Sequence, residues 1–183
     1  DTGDFVTARL VFEGERLAGI EDVAIGARRG TDGKPIRTKK VGDAEALARG
    51  DGEIFVLVEM NRELLAYPAD GLAVDLEATP RTVPLSAEER RVGARGWEAL
   101  ATRSDGSLVV MAEARDGEGT RVPAAVIGGR RFDLARRDGF AVTGADILPG
   151  GDMVIVERGW RGGIDVAMRV RRIGADAVAS GAL

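Results

Sequence analysis

Apolar and polar positions along the chain form three similar units. Each unit contains an apolar stretch, a tight turn and a second apolar stretch that ends on glutamate, and the units occupy residues 45–59, 98–113 and 143–157. Asp-Gly or Gly-Gly lies at each turn, and these residues tolerate the positive φ of a tight β-turn. The pattern therefore predicts three β-hairpins. Their final glutamates are 54 and 44 residues apart, which brackets the period of four-stranded propeller blades.

The second stretch of each hairpin is continuously apolar, as in strands that are covered on both faces. These stretches are 54–58, 108–112 and 153–156. A pair of weaker strands follows each of them. The weaker strands are predicted at 63–67 and 72–76, at 122–127 and 130–134, and at 166–173 and 177–179. Each unit thus contains four antiparallel strands, the number found in a propeller blade.

We therefore predict an all-β fold, a β-propeller built of four-stranded antiparallel blades. The chain would supply about three and a half blades, with a half blade at 1–24 and blades at approximately 43–77, 97–135 and 140–180. A partial propeller leaves open sheet edges, so we expect further chain in the natural protein or self-association of copies. Another antiparallel β fold is the alternative, because meanders and sandwiches also contain Asp-Gly hairpins.

Helix is predicted at one short segment. Ser86 can cap it and Glu89 can complete a capping box, while Gly93 limits it to about two turns. Elsewhere the chain favours strands and turns. Its 26 glycines, about twice the average usage, agree with many turns.

The composition excludes several classes of function. The chain has no histidine and no cysteine, which excludes a Ser-His-Asp triad, a catalytic thiolate, a His/Cys zinc site and disulfides. The Gly-x-Ser-x-Gly elbow of serine esterases is absent. A net charge of −4 without a basic, aromatic-rich stripe argues against nucleic-acid binding. No apolar run approaches the roughly 18 residues of a membrane span. Carboxylates, arginines, hydroxyls and the backbone remain for chemistry.

Carboxylates recur where the innermost strands of the predicted blades begin. Glu45 and Glu98 start two of these strands, and Asp43 lies two residues before Glu45, on the same side of an extended chain. Because innermost strands border the central channel of a propeller, the three carboxylates would converge at one end of that channel. Their repulsion favours a hard cation with oxygen ligands, above all Ca²⁺, or raises one carboxyl pKa enough for a general acid. We predict Glu45 and Glu98 as catalytic groups, and Asp43, Glu45 and Glu98 as ligands of Ca²⁺.

The glutamates that end the hairpins admit two interpretations. Glu59, Glu113 and Glu157 each have an arginine nearby in sequence, and structural salt bridges are the interpretation that we favour for them. The nearby arginines are Arg62, Arg115 and Arg158. Guanidinium groups also recognise phosphate and carboxylate, and Arg115 and Arg158 are the predicted substrate-binding residues.

Six short segments occur in an order that is typical of one bacterial family. They are DTGDF at 1–5, TARL at 7–10, GDAEAL at 42–47, WEALA at 97–101, AEAR at 112–115 and VER at 156–158. The chain resembles the family described as esterase-like activity of phytase. The resemblance implies a β-propeller hydrolase-like protein that is usually exported, and hence periplasmic or secreted. Members of that family are longer, so the resemblance also implies that this chain is an internal fragment of about half a propeller.

Two hypotheses of function follow. In the first, the chain is part of a propeller hydrolase that uses a metal to cleave phosphate esters or related small esters. In the second, it is a non-catalytic propeller module that presents its loops to a ligand or a protein partner, and the acidic residues only hold the blades together. Calcium binding to the native state separates the two hypotheses.

Overall fold

The computed structural model describes residues 3–59, 61–93, 96–113, 119–160, 162 and 165–180. These residues are mostly β-strand, with three short helices. The strands are β1 (Asp4–Glu13), β2 (Arg16–Ala27), β3 (Ala44–Arg49), β4 (Glu53–Val58), β5 (Glu63–Asp70), β6 (Ala73–Val74), β7 (Arg81–Thr82), β8 (Trp97–Thr102), β9 (Leu108–Ala112), β10 (Arg121–Val126), β11 (Arg131–Ala135), β12 (Ala141–Ile147), β13 (Met153–Trp160) and β14 (Val166–Ile173). The helices are α1 (Lys39–Gly42), α2 (Ala87–Val92) and α3 (Ala175–Ser180).

The strands form four antiparallel sheets in the order of the chain. The N-terminal hairpin pairs β1 with β2. The first blade has the order β3-β4-β5-β6, with β7 also paired to β5. The second blade is β8-β9-β10-β11 and the third blade is β12-β13-β14. Apart from β7, which pairs with β5 across β6 in the sequence, every strand pairs with a neighbour in sequence. The all-β prediction is confirmed.

The first strands of the three blades lie side by side. Strand β8 contacts β3 on one side and β12 on the other. This is the arrangement expected of innermost propeller strands, which line a common axis. We call the innermost strands β3, β8 and β12 the hub. Residues that begin β3 and β8 are therefore brought to the same end of the hub.

The core lies between successive sheets, and the middle strands supply both of its faces. Along β4, Phe55 and Leu57 pack toward the second blade, whereas Val56 and Val58 pack with Phe5 of the N-terminal hairpin. Strand β9 alternates in the same way between the first and third blades. Successive side chains of a strand point to opposite faces, so a strand between two sheets must be apolar throughout. This explains the continuous apolar runs in the sequence.

The prediction of a strand at 177–179 is wrong. These residues belong to helix α3, and the third blade has three strands in the part of the chain that the structure describes. The segment is rich in alanine, the best helix former. At its start the Asp152 carboxylate accepts a hydrogen bond of 2.8 Å from the backbone N–H of Ala175. Local propensity and this contact favour the helix.

Of two further predicted elements, one differs from its predicted bounds and the other agrees with them. The predicted strand at 72–76 is shorter, as β6. Helix α2 begins at the predicted capping box, in which Glu89 and Ser86 accept each other's backbone N–H. Among the described helices, none is long and apolar enough to cross a membrane.

Candidate functional site

Glu45, Glu98 and Thr143 occupy equivalent positions near the starts of β3, β8 and β12. In each blade the pairing with the second strand shifts by one residue at this point, so each of the three is the extra residue of a β-bulge. A bulge bends the strand locally and changes the direction of the side chain. In each blade, the repeated unit therefore places one residue outside the regular pairing of the first two strands. These three residues lie at the same end of the hub.

The first blade holds three carboxylates close together. Oxygen atoms of Asp43, Glu45 and Glu59 all lie within 4.8 Å of one another. The backbone explains this proximity, because the Glu59 N–H donates to the Asp43 carbonyl oxygen at 2.9 Å and so joins the start of β3 to the end of β4. Glu45 is exposed, whereas Asp43 and Glu59 are partly buried.

Gly96, which directly precedes β8, brings the second blade close to the carboxylates of the first blade. A Cβ atom at Gly96 would collide with the Glu59 carboxylate and would lie 3.3 Å from Glu113 Oε2. The Glu113 N–H donates to the Gly96 carbonyl oxygen at 3.0 Å, which matches the bond between Glu59 and Asp43 in the first blade. The carboxylates of Glu59 and Glu113 therefore converge on one glycine.

Glu98 has the most strongly altered acidity of this group. Its pKa rises to about 7, because burial disfavours the carboxylate form and the charges of Glu113 and Glu45 add to this effect. Arg158 opposes the rise, and Glu59 contributes to it. Near neutral pH the protonated and ionised forms of Glu98 are both populated.

Glu45 has a raised pKa for similar reasons. Although Glu45 is exposed, partial desolvation of its carboxylate is the largest cause, followed by the charges of Asp43 and Glu59. Lys39 acts in the opposite direction, and its Nζ atom lies 3.7 Å from Asp43 Oδ1. The lysine is largely exposed, so it neutralises the cluster only in part.

We call five residues the acidic cluster: Asp43, Glu45, Glu59, Glu98 and Glu113. The structure places Glu45 close to Asp43 and near enough to Glu98 for their charges to interact, and the roles of the three remain predictions. Sequence reasoning did not predict Glu59 and Glu113 as members. The available signal was their repetition at the end of each second strand, since antiparallel pairing returns that end to the start of the first strand.

Of the two arginines predicted to bind substrate, the structure describes Arg158 only. Arg158 is exposed on β13, and its charge lowers the pKa of Glu98, which places it near the acidic cluster. Arg115 lies outside the described residues. The function of both in substrate binding remains a prediction.

Glu157 is the equivalent glutamate of the third blade, but its surroundings are basic. It is 1% exposed and accepts hydrogen bonds from Arg169 at 2.7 Å and from Arg171 at 3.0 Å. The predicted structural salt bridge is therefore present at Glu157. Its partners come from β14, not from the adjacent Arg158.

The family comparison covers nearly the whole chain. The family model described as "Phytase-like: Esterase-like activity of phytase" matches residues 1–182. The chain belongs to the phytase-like family. The resemblance seen in the six sequence segments is thereby confirmed. No curated protein sequence matches this phytase-like chain significantly.

A comparison of solved structures supports the fold of the phytase-like chain. A luciferin-regenerating enzyme is similar to it with a TM-score of 0.50 and 13% sequence identity, over 84% of this chain. The similarity concerns the fold, and the β-propeller prediction is confirmed. The phytase-like chain spans 48% of that enzyme's chain, about half its length.

Proposed function

We propose that the acidic cluster is the catalytic centre of a propeller hydrolase that cleaves phosphate esters or related small esters with the help of Ca²⁺. The observation that carries this proposal is the position of Glu98, whose pKa of about 7 suits proton transfer, beside a group of three close carboxylates. Membership of the phytase-like family supports it.

The residues fit a calcium ion. Ca²⁺ binds oxygen ligands at about 2.3–2.6 Å, so two ligands on opposite sides of the ion are about 4.6–5.2 Å apart. Oxygen atoms of Asp43, Glu45 and Glu59 lie within 4.8 Å of one another, which agrees with this spacing. An all-oxygen donor set also favours Ca²⁺ or Mg²⁺ over softer metals. We assign the ion to these three residues.

Glu98 is proposed as the proton-transfer group and not as a ligand. It does not belong to the group of three whose oxygen atoms are in reach of one ion, among the residues that the structure describes. A bound Ca²⁺ would polarise the phosphoryl or carbonyl oxygen of the ester. Positive charge nearby favours the carboxylate form of Glu98. The carboxylate would accept a proton from the attacking water, whose oxygen bonds to phosphorus or to the carbonyl carbon. The P–O or C–O bond to the alcohol would then break, and protonated Glu98 would return the proton to the leaving alkoxide.

Other residues would orient the substrate. Arg158, which is exposed near Glu98, is proposed to hold an anionic group of the ester. Arg115 keeps the same proposed function. Export to the periplasm or the medium, and assembly with further blades or a second copy, also remain proposals.

Calcium titration followed by thermal unfolding tests the ion site. Added Ca²⁺ is expected to raise Tm of the wild-type chain, because a ligand that binds only the native state stabilises it. Asp43→Asn and Glu59→Gln should each reduce that shift strongly. Asp51→Asn is the matched control, since Asp51 is exposed at the other end of the same hairpin. An absent shift, or one that is equal in all variants, would overturn the calcium site.

Hydrolysis of phytate and of a chromogenic ester tests the catalytic assignment. Glu98→Gln should keep the calcium-dependent Tm shift and lose about 100-fold or more in rate, the usual contribution of a general acid or base. A Glu98→Gln variant with unchanged hydrolysis would contradict the role of Glu98.

The non-catalytic binding module is the second candidate. The observation that favours it is the ion pair of Lys39 and Asp43, because a lysine can neutralise the cluster in place of a metal. This candidate predicts no calcium-dependent change in Tm and no hydrolysis of either substrate.

A further inference from the structure

A polar cavity lies between the outer strands of the second and third blades. Its volume is about 190 Å³, and Arg137, Arg171 and Arg172 line it together with Leu134 and Ile173. None of these residues belongs to the acidic cluster. Three of the seven residues that line the cavity are arginines.

Arg171 is the deepest of the three. Its side chain is 12% exposed, and its Nη2 atom donates to the Ala135 carbonyl oxygen and to Glu157 Oε1, both at 3.0 Å. Its Nε atom is buried and has no hydrogen-bond partner. A guanidinium in this position has lost its contact with water. Hydrogen bonds within the protein replace that hydration only in part.

The carboxylates near the cavity already have arginine partners. Glu157 accepts from both Arg171 and Arg169. Arg172 forms an ion pair with Asp152 at the mouth. The carboxylates of Glu157 and Asp152 are therefore both engaged with arginines of the chain itself.

Positive charge is left in excess at the cavity. Arg137 has no ion pair among the residues that the structure describes. Burial lowers the pKa of Arg171, and the charges of Arg137 and Arg169 lower it further, against the effect of Glu157. The charges of Arg137 and Arg169 disfavour the charged form of Arg171, and a bound anion would offset this repulsion.

We propose that this cavity binds a small tetrahedral oxyanion, as free phosphate or sulfate or as the phosphate group of a small ester. Guanidinium groups match such an anion in both charge and hydrogen-bond geometry. At about 30 Å³ of liquid volume per water molecule, the cavity has room for on the order of six waters, which is enough for one such group. The apolar residues Leu134 and Ile173 limit the space for a larger ligand. The site is independent of the proposed hydrolysis.

Phosphate titration in the absence of divalent cations tests this site. Thermal unfolding is followed while inorganic phosphate replaces chloride at constant ionic strength, with EDTA present so that the acidic cluster holds no metal. We expect a saturable rise in Tm of about 2–4 °C for the wild-type chain. Sulfate should act similarly, and glycerol 2-phosphate distinguishes an esterified group from a free ion.

Arg137→Gln is the decisive variant, because Arg137 is exposed and its loss breaks no ion pair of the described structure. It should weaken phosphate binding by about tenfold or more, as expected for the loss of one charge-assisted contact. Arg90→Gln, which removes an exposed arginine of α2 that does not line the cavity, should bind phosphate as the wild type does. A Tm that is insensitive to phosphate, or an equal response of the Arg137→Gln variant, would overturn the proposal.

Discussion

Gly96 lies directly against the carboxylate of Glu59, and this contact joins the first two blades at the acidic cluster. Two independent constraints act on Gly96. Its φ of +106° is outside the region that L-residues favour, and a Cβ atom would occupy the place of the Glu59 carboxylate. The closeness of the two blades at this point therefore depends on a residue without a side chain.

Substitution Gly96→Ala should lower the free energy of unfolding by about 2 kcal/mol, from backbone strain and from the displaced carboxylate together. For a chain of this size the loss corresponds to about 4–8 °C in Tm. Gly106→Ala is the matched control, because Gly106 has a φ of +81° but open space around it. It should lose roughly half as much, since only the torsional strain applies. Equal losses in the two variants would show that the contact with Glu59 has no energetic effect.

Glu98 should make the protein less stable as the pH rises. Its folded pKa of about 7 exceeds the ordinary 4.5, so this group's contribution to stability is fully present below pH 4.5 and is lost as the pH passes 7. Glu98→Gln cannot ionise, and its Tm at pH 8 should exceed that of the wild type by about 2–4 °C, with little difference at pH 5. Glu88→Gln, at an exposed site of α2, should leave the pH profile unchanged. Parallel profiles for wild type and Glu98→Gln would refute the assigned pKa.

Glu89 should contribute to stability through a buried carboxylate. It is 5% exposed and accepts hydrogen bonds from the backbone N–H of Ser86 at 2.5 Å and of Gly128 at 2.7 Å. Burial raises its pKa, but these bonds outweigh burial and the net pKa is lowered. Glu89→Ala should cost about 2–3 kcal/mol in chemical denaturation at pH 7. The exposed neighbour Glu88→Ala should cost less than about 0.5 kcal/mol. The stabilisation by Glu89 should be lost as the pH falls below 4.5 through its folded pKa.

Glu157 should be the most costly carboxylate to remove. Glu157→Gln leaves Arg171 and Arg169 without the buried charge between them, and such a loss costs about 3–5 kcal/mol. Glu13→Gln breaks an exposed ion pair with Arg16 and should change the stability by less than about 1 kcal/mol. Urea unfolding of both variants measures the contrast. A Glu157→Gln variant as stable as Glu13→Gln would contradict the structural role of this buried glutamate.

Much of the fold could be predicted because it depends on local patterns. The Asp-Gly and Gly-Gly turns specify hairpins, and the runs at 54–58 and 108–112 specify strands that are covered on both faces. The capping box at Ser86 specifies where α2 begins. The segment at 177–179 was predicted incorrectly because three residues are too few for a periodicity to separate strand from helix, and the contact of Asp152 with Ala175 is not a local feature.

The candidate site could be predicted only in part. The positions of Glu45 and Glu98 follow from the repeat, since equivalent residues of successive blades lie at the same end of the hub. Glu59 was not predicted as a member, because a glutamate with an arginine three residues away, here Arg62, suggests a salt bridge. Its membership depends on the backbone bond to Asp43, which forms between two strands.

The sequence by itself determined the hairpins, the blade repeat and the recurrence of a glutamate in each blade. Only the tertiary structure decided what surrounds each glutamate. Glu59 and Glu113 converge on Gly96 in an acidic environment, whereas Glu157 is neutralised by Arg169 and Arg171. The physical reason is that strand formation depends on neighbouring residues, while the charge and solvation of a side chain depend on which distant strands pack against it.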